Sequence, residues 1–139
     1  MSDFTVRLAA ARAGTHAVID LDRYMANVRA MRRHIGGGVE LMAVVKANAY
    51  GHGMTPCARA ALDAGASWLA VARIEEGLQL RARGITAPIL VIGPPNPMLL
   101  TQAIEADVSL AAGTPDILSA ISKVAGATKR TARVHLKVE

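Results

Sequence analysis

The feature that most constrains this chain is a two-part unit repeated along it: a short apolar run, then a helical segment, most with a proline near the start. The runs are "LMAVV" from Leu41, "WLAVA" from Trp68, "PILVIG" from Pro88, "DVSLAA" from Asp107 and "ARVHLKV" from Ala132. Between them, one helix is expected to open at Thr55-Pro56 and close at Gly65, and another to cover 74–83 with Gly84 past its end. Two more are expected to open at Asn96-Pro97 and Thr114-Pro115. In each pair the first side chain can cap a helix, and proline suits the first turn because its missing N–H needs no partner there. Apolar runs without polar alternation are buried on both faces, as in a parallel sheet covered by helices. The fold class is therefore α/β, built of βα units.

Ahead of the repeat, residues 1–16 read as a lead-in and "AVIDL" from Ala17 as a short strand. The first helix follows Asp20, with Leu21, Met25, Val28, Met31 and Ile35 on one face, and Gly36, Gly37 and Gly38 stop it. That glycine run precedes a strand instead of following one, so it is in the wrong context for a phosphate loop. Two topologies fit: an open doubly wound sheet, or part of a (β/α)8 barrel. A full barrel takes about 250 residues, so five units would make an incomplete one. The sequence stops at Glu139 beside a strand, and we expect residues 17–139 to be part of a larger domain.

Composition removes several function classes. The 139 residues are 52% hydrophobic, which suits a folded core. A net charge of +5 would allow nucleic acid as a partner, but the basic residues are scattered. The tighter groups, "RRH" from Arg32 and "KRTAR" from Lys129, fall at a helix end and in a loop. Aromatics are only 3%, which leaves little to stack on bases, so no nucleic-acid role is expected. The single cysteine, Cys57, excludes an internal disulfide and fits a reducing compartment. Residues 84–102 carry no charge, yet Pro88, Pro94, Pro95 and Pro97 would break a membrane helix there. No signal-peptide core opens the chain, so a cytoplasmic protein without a membrane segment is expected. His16, His34 and His135 have no metal-ligand spacing, and no metal site is assigned.

The most distinctive stretch is "VVKANAYGHG", from Val44 to Gly53. It places Lys46 at the end of a buried strand, where burial is costly unless the amine has a partner or a task. Barrel proteins carry functional side chains at this end of their strands. An amine there can form a Schiff base with a carbonyl; a structural lysine reaching for solvent fits the residues about equally well. Ala47 and Ala49 leave room for a bulky group, Tyr50 offers a hydroxyl, and Gly51 and Gly53 let the backbone approach a ligand. His52 reads as a turn residue. Glu75 and Glu76 read as acids favoured by the positive end of the helix they open.

The stretch is similar to the cofactor-lysine motif of the alanine racemases, barrel-type enzymes that use pyridoxal 5'-phosphate. "AVIDLDRYMANVRAMR" from Ala17, "WLAVARIEEGLQLRARGITAPILVIG" from Trp68 and "VHLKVE" from Val134 resemble further family segments, in family order. The resemblance implies the first five βα units of a (β/α)8 barrel. It implies Lys46 as the residue that holds pyridoxal 5'-phosphate and acts as acid and base, and Tyr50 as a donor to its phosphate. Lys137 corresponds to a family lysine, often carbamylated, that supports a substrate-side arginine; Glu139 stands where many members have aspartate. The implied activity is interconversion of L- and D-alanine for cell-wall synthesis by a cytoplasmic homodimer. The second proton-transfer group would be a tyrosine outside this chain, since its only tyrosines are Tyr24 and Tyr50. Alternative readings are a non-catalytic cofactor-binding module, a racemase preferring serine, or a cofactor-free Schiff-base aldolase.

Overall fold

The computed structural model describes residues 5–7 and 17–138; the rest of the lead-in (1–4 and 8–16, with His16) and Glu139 lie outside the described residues. Strand β1 (Thr5–Arg7) pairs antiparallel with β2 (Val18–Asp20). Then come α1 (Leu21–Ile35), β3 (Met42–Val44), α2 (Lys46–Tyr50), α3 (Met54–Asp63), β4 (Trp68–Val71), α4 (Ile74–Ala82) and β5 (Ile89–Val91). A 3-10 turn, Pro97–Leu99, leads into α5 (Leu100–Glu105), and β6 (Ser109–Ala112), α6 (Pro115–Thr128) and β7 (Val134–Leu136) complete the described fold. The expected strand at "AVIDL" is present as β2, but it belongs to its own two-stranded sheet and not to the parallel one.

The five strands β3-β4-β5-β6-β7 lie side by side in chain order, every pair parallel. A doubly wound sheet reverses its strand order at a switch point, and this one does not. The sheet is also curled. Strands β4 and β7 are three spacings apart, about 14 Å on a flat sheet, yet the rings of Trp68 and His135 meet edge-to-face at 5.6 Å. Order and curl together make this a five-stranded arc of the (β/α)8 type.

Alternate residues of each strand face the helices. Val71, Val91 and Leu110 stand in register across β4, β5 and β6 and are fully buried. They pack with Ile74 and Leu80 of α4, Leu100 of α5 and Ile121 of α6. Each such side chain contributes about 1.5–3 kcal/mol by leaving water. On α1, Leu21 is buried and Met25, Val28 and Ile35 are half-buried as the spacing predicts, whereas Met31 is 54% exposed.

Two of the three proline-marked helix starts hold. Thr114 caps α6 by accepting the Ile117 N–H at 3.4 Å, with Pro115 in the first turn. Asn96 accepts the Met98 N–H at 3.1 Å, but the turn it opens is 3-10 before α5 begins. Thr55 caps nothing: α3 starts one residue earlier, and Asn48, six residues upstream of Met54, accepts the Met54 N–H at 2.8 Å. That bond requires the chain between them to fold back, which it does at the C-terminal rim of the sheet.

The opposite, N-terminal rim is tied by Arg81, near the end of α4. Its guanidinium donates to the carbonyls of Ala106, Ile85, Ala87 and Asp107 at 2.7–3.0 Å. One side chain thereby fixes the approaches to both β5 and β6.

Candidate functional site

The C-terminal rim gathers the residues at which the chain leaves each strand: Lys46 after β3, Ala72 and Arg73 after β4, Gly93 after β5, Gly113 after β6 and Lys137 after β7. The ladder between β3 and β4 ends with the Val45 N–H donating to the Ala70 carbonyl at 2.8 Å. Lys46 is thus the first residue beyond the sheet and not, as the apolar run suggested, the last residue of a strand. Its side chain is half-buried, and among the described residues no partner engages its amine.

From Ala47 the chain winds left-handed. Ala47, Asn48, Ala49 and Tyr50 have φ between 50° and 55°, and Gly51 comes next at 88°. For an L-residue this conformation costs about 1–2 kcal/mol, so four in succession cost on the order of 4–8 kcal/mol. Hydrogen bonds offset this. The Ala49 N–H donates to the Val45 carbonyl at 2.9 Å, the Gly51 N–H to Ala47 and Asn48, and the Gly53 N–H to Asn48 at 2.9 Å. His52 Nδ1 lies 2.7 Å from the Ala49 carbonyl, which makes it the turn residue expected of it. Ala49 is buried in the core, so of the two alanines expected to make room for a ligand only Ala47 lies open. At Gly51 the demand for glycine is the positive φ: a Cβ there would meet nothing within 4 Å.

One carboxylate joins this turn to the next strand. Glu76 Oε1 accepts the Ala47 N–H at 2.7 Å, while Oε2 accepts the N–H groups of Ala72 at 2.8 Å and Arg73 at 3.1 Å. Glu75 is exposed in the first turn of α4, as read from the sequence. Glu76 has a further role that its position in the sequence did not reveal. It is 8% exposed, and three backbone donors suffice to keep such a carboxylate satisfied without a cation. Gly93 stands beside the same strand end, where a Cβ would come within 2.5 Å of the Ala72 carbonyl oxygen. Only glycine lets the two strand ends come so close.

Tyr50 closes the left-handed turn four residues after Lys46 and is 61% exposed. With Val18, Tyr24, His52 and Cys57 it lines a cavity of about 510 Å³ between the turn, β2 and α1. Burial pushes the Cys57 thiol up, and burial followed by the nearby Cys57 pushes the Tyr24 phenol up. Lys137 is exposed just past β7 and lines a different cavity of about 380 Å³ with Gly93, Gly113 and Thr114. Lys46 and Tyr50 therefore share one turn. Lys137 stands on the same rim at the other edge of the arc, four strand spacings away, about 19 Å measured along the sheet. Among the described residues no group of histidine, cysteine or acidic side chains is arranged to hold a metal, and no helix is long and apolar enough to cross a membrane.

An arc of parallel strands in unbroken order, with a lysine on its C-terminal rim that no partner engages among the described residues, defines a barrel-type protein. The profile of the alanine racemase N-terminal domain matches residues 19–139, and this chain belongs to that family. It is 48% identical over 125 residues to alanine racemase 1 of Bacillus subtilis, covering 90% of this chain and 32% of that protein. The alanine racemase of Thermobifida fusca is 47% identical over 123 residues, 88% of this chain and 33% of that one. The chain thus spans about a third of the length of the curated relatives it matches. Among solved structures, alanine racemase from E. faecalis superposes with a TM-score of 0.81 at 35% identity, covering 86% of this chain and 33% of that one. A histidine racemase from Leuconostoc mesenteroides also superposes, with a TM-score of 0.75 at 31% identity over 82% of this chain and 30% of that one.

Proposed function

We propose that the protein is an amino-acid racemase that uses pyridoxal 5'-phosphate to interconvert L- and D-alanine, with this chain supplying the cofactor lysine. The observation that carries the reading is Lys46, half-buried and unengaged on the rim of an alanine racemase domain. The donor set suits the cofactor: a primary amine for its aldehyde and, one turn on, an exposed phenol hydroxyl for its phosphate.

When bound, pyridoxal phosphate supplies an electron sink for the negative charge left when an amino acid loses its α-proton. Lys46 would hold the cofactor through its amine. Its amine would serve as the acid and base that moves the α-proton on one face of the substrate. Tyr50 would donate to the phosphate, and Lys137 would support the substrate side from the far edge of the arc. Inversion requires a donor on the opposite face. Tyr24, packed against the core, does not serve there, and the donor comes from outside this chain, in a homodimer. Alanine as substrate rests on the relatives named above; the histidine racemase shows that the fold also serves another amino acid. Production of D-alanine for the cell wall, in the cytoplasm, belongs to the same reading.

The test is the absorbance of the intact protein with pyridoxal phosphate, with and without Lys46→Ala. The substitution should abolish the lysine-dependent band and leave thermal unfolding within about 0.5 kcal/mol of wild type, as for a surface position. An unchanged spectrum would sink the proposal.

A further inference from the structure

The lysine at the centre of that reading stands immediately before the longest left-handed stretch among the described residues, and its position depends on what holds that stretch. Two ties bracket Lys46. On its N-terminal side the Val45 N–H reaches the Ala70 carbonyl of β4; on its C-terminal side the Ala47 N–H reaches Glu76 Oε1. The other oxygen of the same carboxylate holds the N–H groups of Ala72 and Arg73, where β4 ends. The lysine backbone is therefore stapled on both sides to β4 and its exit. We propose that Glu76 is the positioning residue for Lys46: its buried carboxylate pins the left-handed turn to the end of β4 and so sets where the lysine amine stands on the rim. The inference rests on the reading of Lys46 as the cofactor lysine.

A carboxylate suits this task because both of its oxygens only accept, and all three groups facing it are donors. Glutamine in its place has one accepting oxygen. That oxygen can keep Ala72 and Arg73, which share Oε2, but the amide N–H₂ then faces the Ala47 N–H, donor against donor. Glu76→Gln should detach the turn selectively and leave the strand end held. Glu76→Asp keeps the charge and both acceptors but withdraws them by one methylene. It should fall between wild type and glutamine.

The experiment compares intact wild-type protein, Glu76→Gln and Glu76→Asp by two readouts besides activity. One is the rate at which pyridoxal phosphate followed by borohydride labels Lys46, with the labelled peptide mapped. The other is amide hydrogen exchange at Ala47, Ala72 and Arg73. In Glu76→Gln, Ala47 should lose protection while Ala72 and Arg73 keep theirs, and labelling of Lys46 should slow by about tenfold to a hundredfold, as for an ångström-scale misplacement. Labelling of Glu76→Gln at the wild-type rate would overturn the positioning role and leave the cofactor-lysine reading standing. Wild-type protein that takes label elsewhere than Lys46 would remove that reading, and the positioning role with it. Should Glu76→Gln fail to fold, the wild-type protein still decides: an Ala47 amide exchanging at the unprotected rate overturns the proposal.

Discussion

Helix α4 ends on two rims of the same sheet, and the two ends are tied by opposite chemistry. At its start a buried anion, Glu76, gathers three backbone N–H groups at the C-terminal rim. At its end a cation, Arg81, gathers four carbonyls at the N-terminal rim. The signs track the strands: in a parallel sheet every loop leaving a strand lies at one end and every loop entering one lies at the other. What differs is what is held. Arg81 ties loops that enter β5 and β6 and carry no functional side chain, so its contribution is stability. Glu76 ties a backbone turn that is itself unfavourable and directly follows the lysine, so its contribution is geometry. Barrel proteins divide their labour in this way, with chemistry at one rim and stability at the other.

Breaking the N-terminal rim should give the largest effect on stability. Arg81→Ala strands several carbonyls at once and should lower the unfolding free energy by about 2–4 kcal/mol, read from urea denaturation. Arg81→Lys, lacking the fork that reaches several carbonyls together, should recover only part of it. Neither should alter labelling of Lys46 at temperatures where the protein is folded; a change in labelling there would break the comparison. Gly93→Ala sharpens it from the other side. Its Cβ, aimed at the Ala72 carbonyl, should force the β4 and β5 ends apart and cost about 1–3 kcal/mol. It should also disturb Lys46, because Ala72 is one of the groups that Glu76 holds.

The smallest effect is a dependence on pH. Cys57 and Tyr24 both titrate above their ordinary values near 9 and 10. The folded protein therefore keeps these protons where the unfolded chain has lost them, and it binds more protons than the unfolded chain in that window. The stability they contribute is fully present below about pH 9 and declines as pH rises through the folded-state values. Urea midpoints at pH 8 and pH 10 should show the decline, and Cys57→Ala should make it shallower. An identical slope in that variant would remove the thiol's share.

The βα repeat, the parallel sheet and most element boundaries were legible because burial on both faces leaves apolar runs, and because Asn96-Pro97 marks the 3-10 turn that leads into α5 and Thr114-Pro115 marks the start of α6. The motif around Lys46 and Tyr50 was legible as a stretch, and the structure places both residues on one turn. Thr55 misled because its pair looks like the other two, while the acceptor that caps α3 belongs to Asn48, across a turn that no local pattern announces. Glu76 was visible only as an acid at a helix start, a place where acids are common for reasons of their own.

By itself the sequence determined most of the strands and helices, the α/β class and the stretch around Lys46 that the proposed function rests on, since period, punctuation and motif are all local properties. The tertiary structure alone decided that the strands run in unbroken order around a curled arc. It decided that Lys46 stands just beyond the sheet and just before a left-handed turn, and that a glutamate far along the chain, Glu76, holds that turn. Those facts depend on donors and acceptors brought together from distant parts of the chain, and no spacing along the sequence encodes which of them will meet.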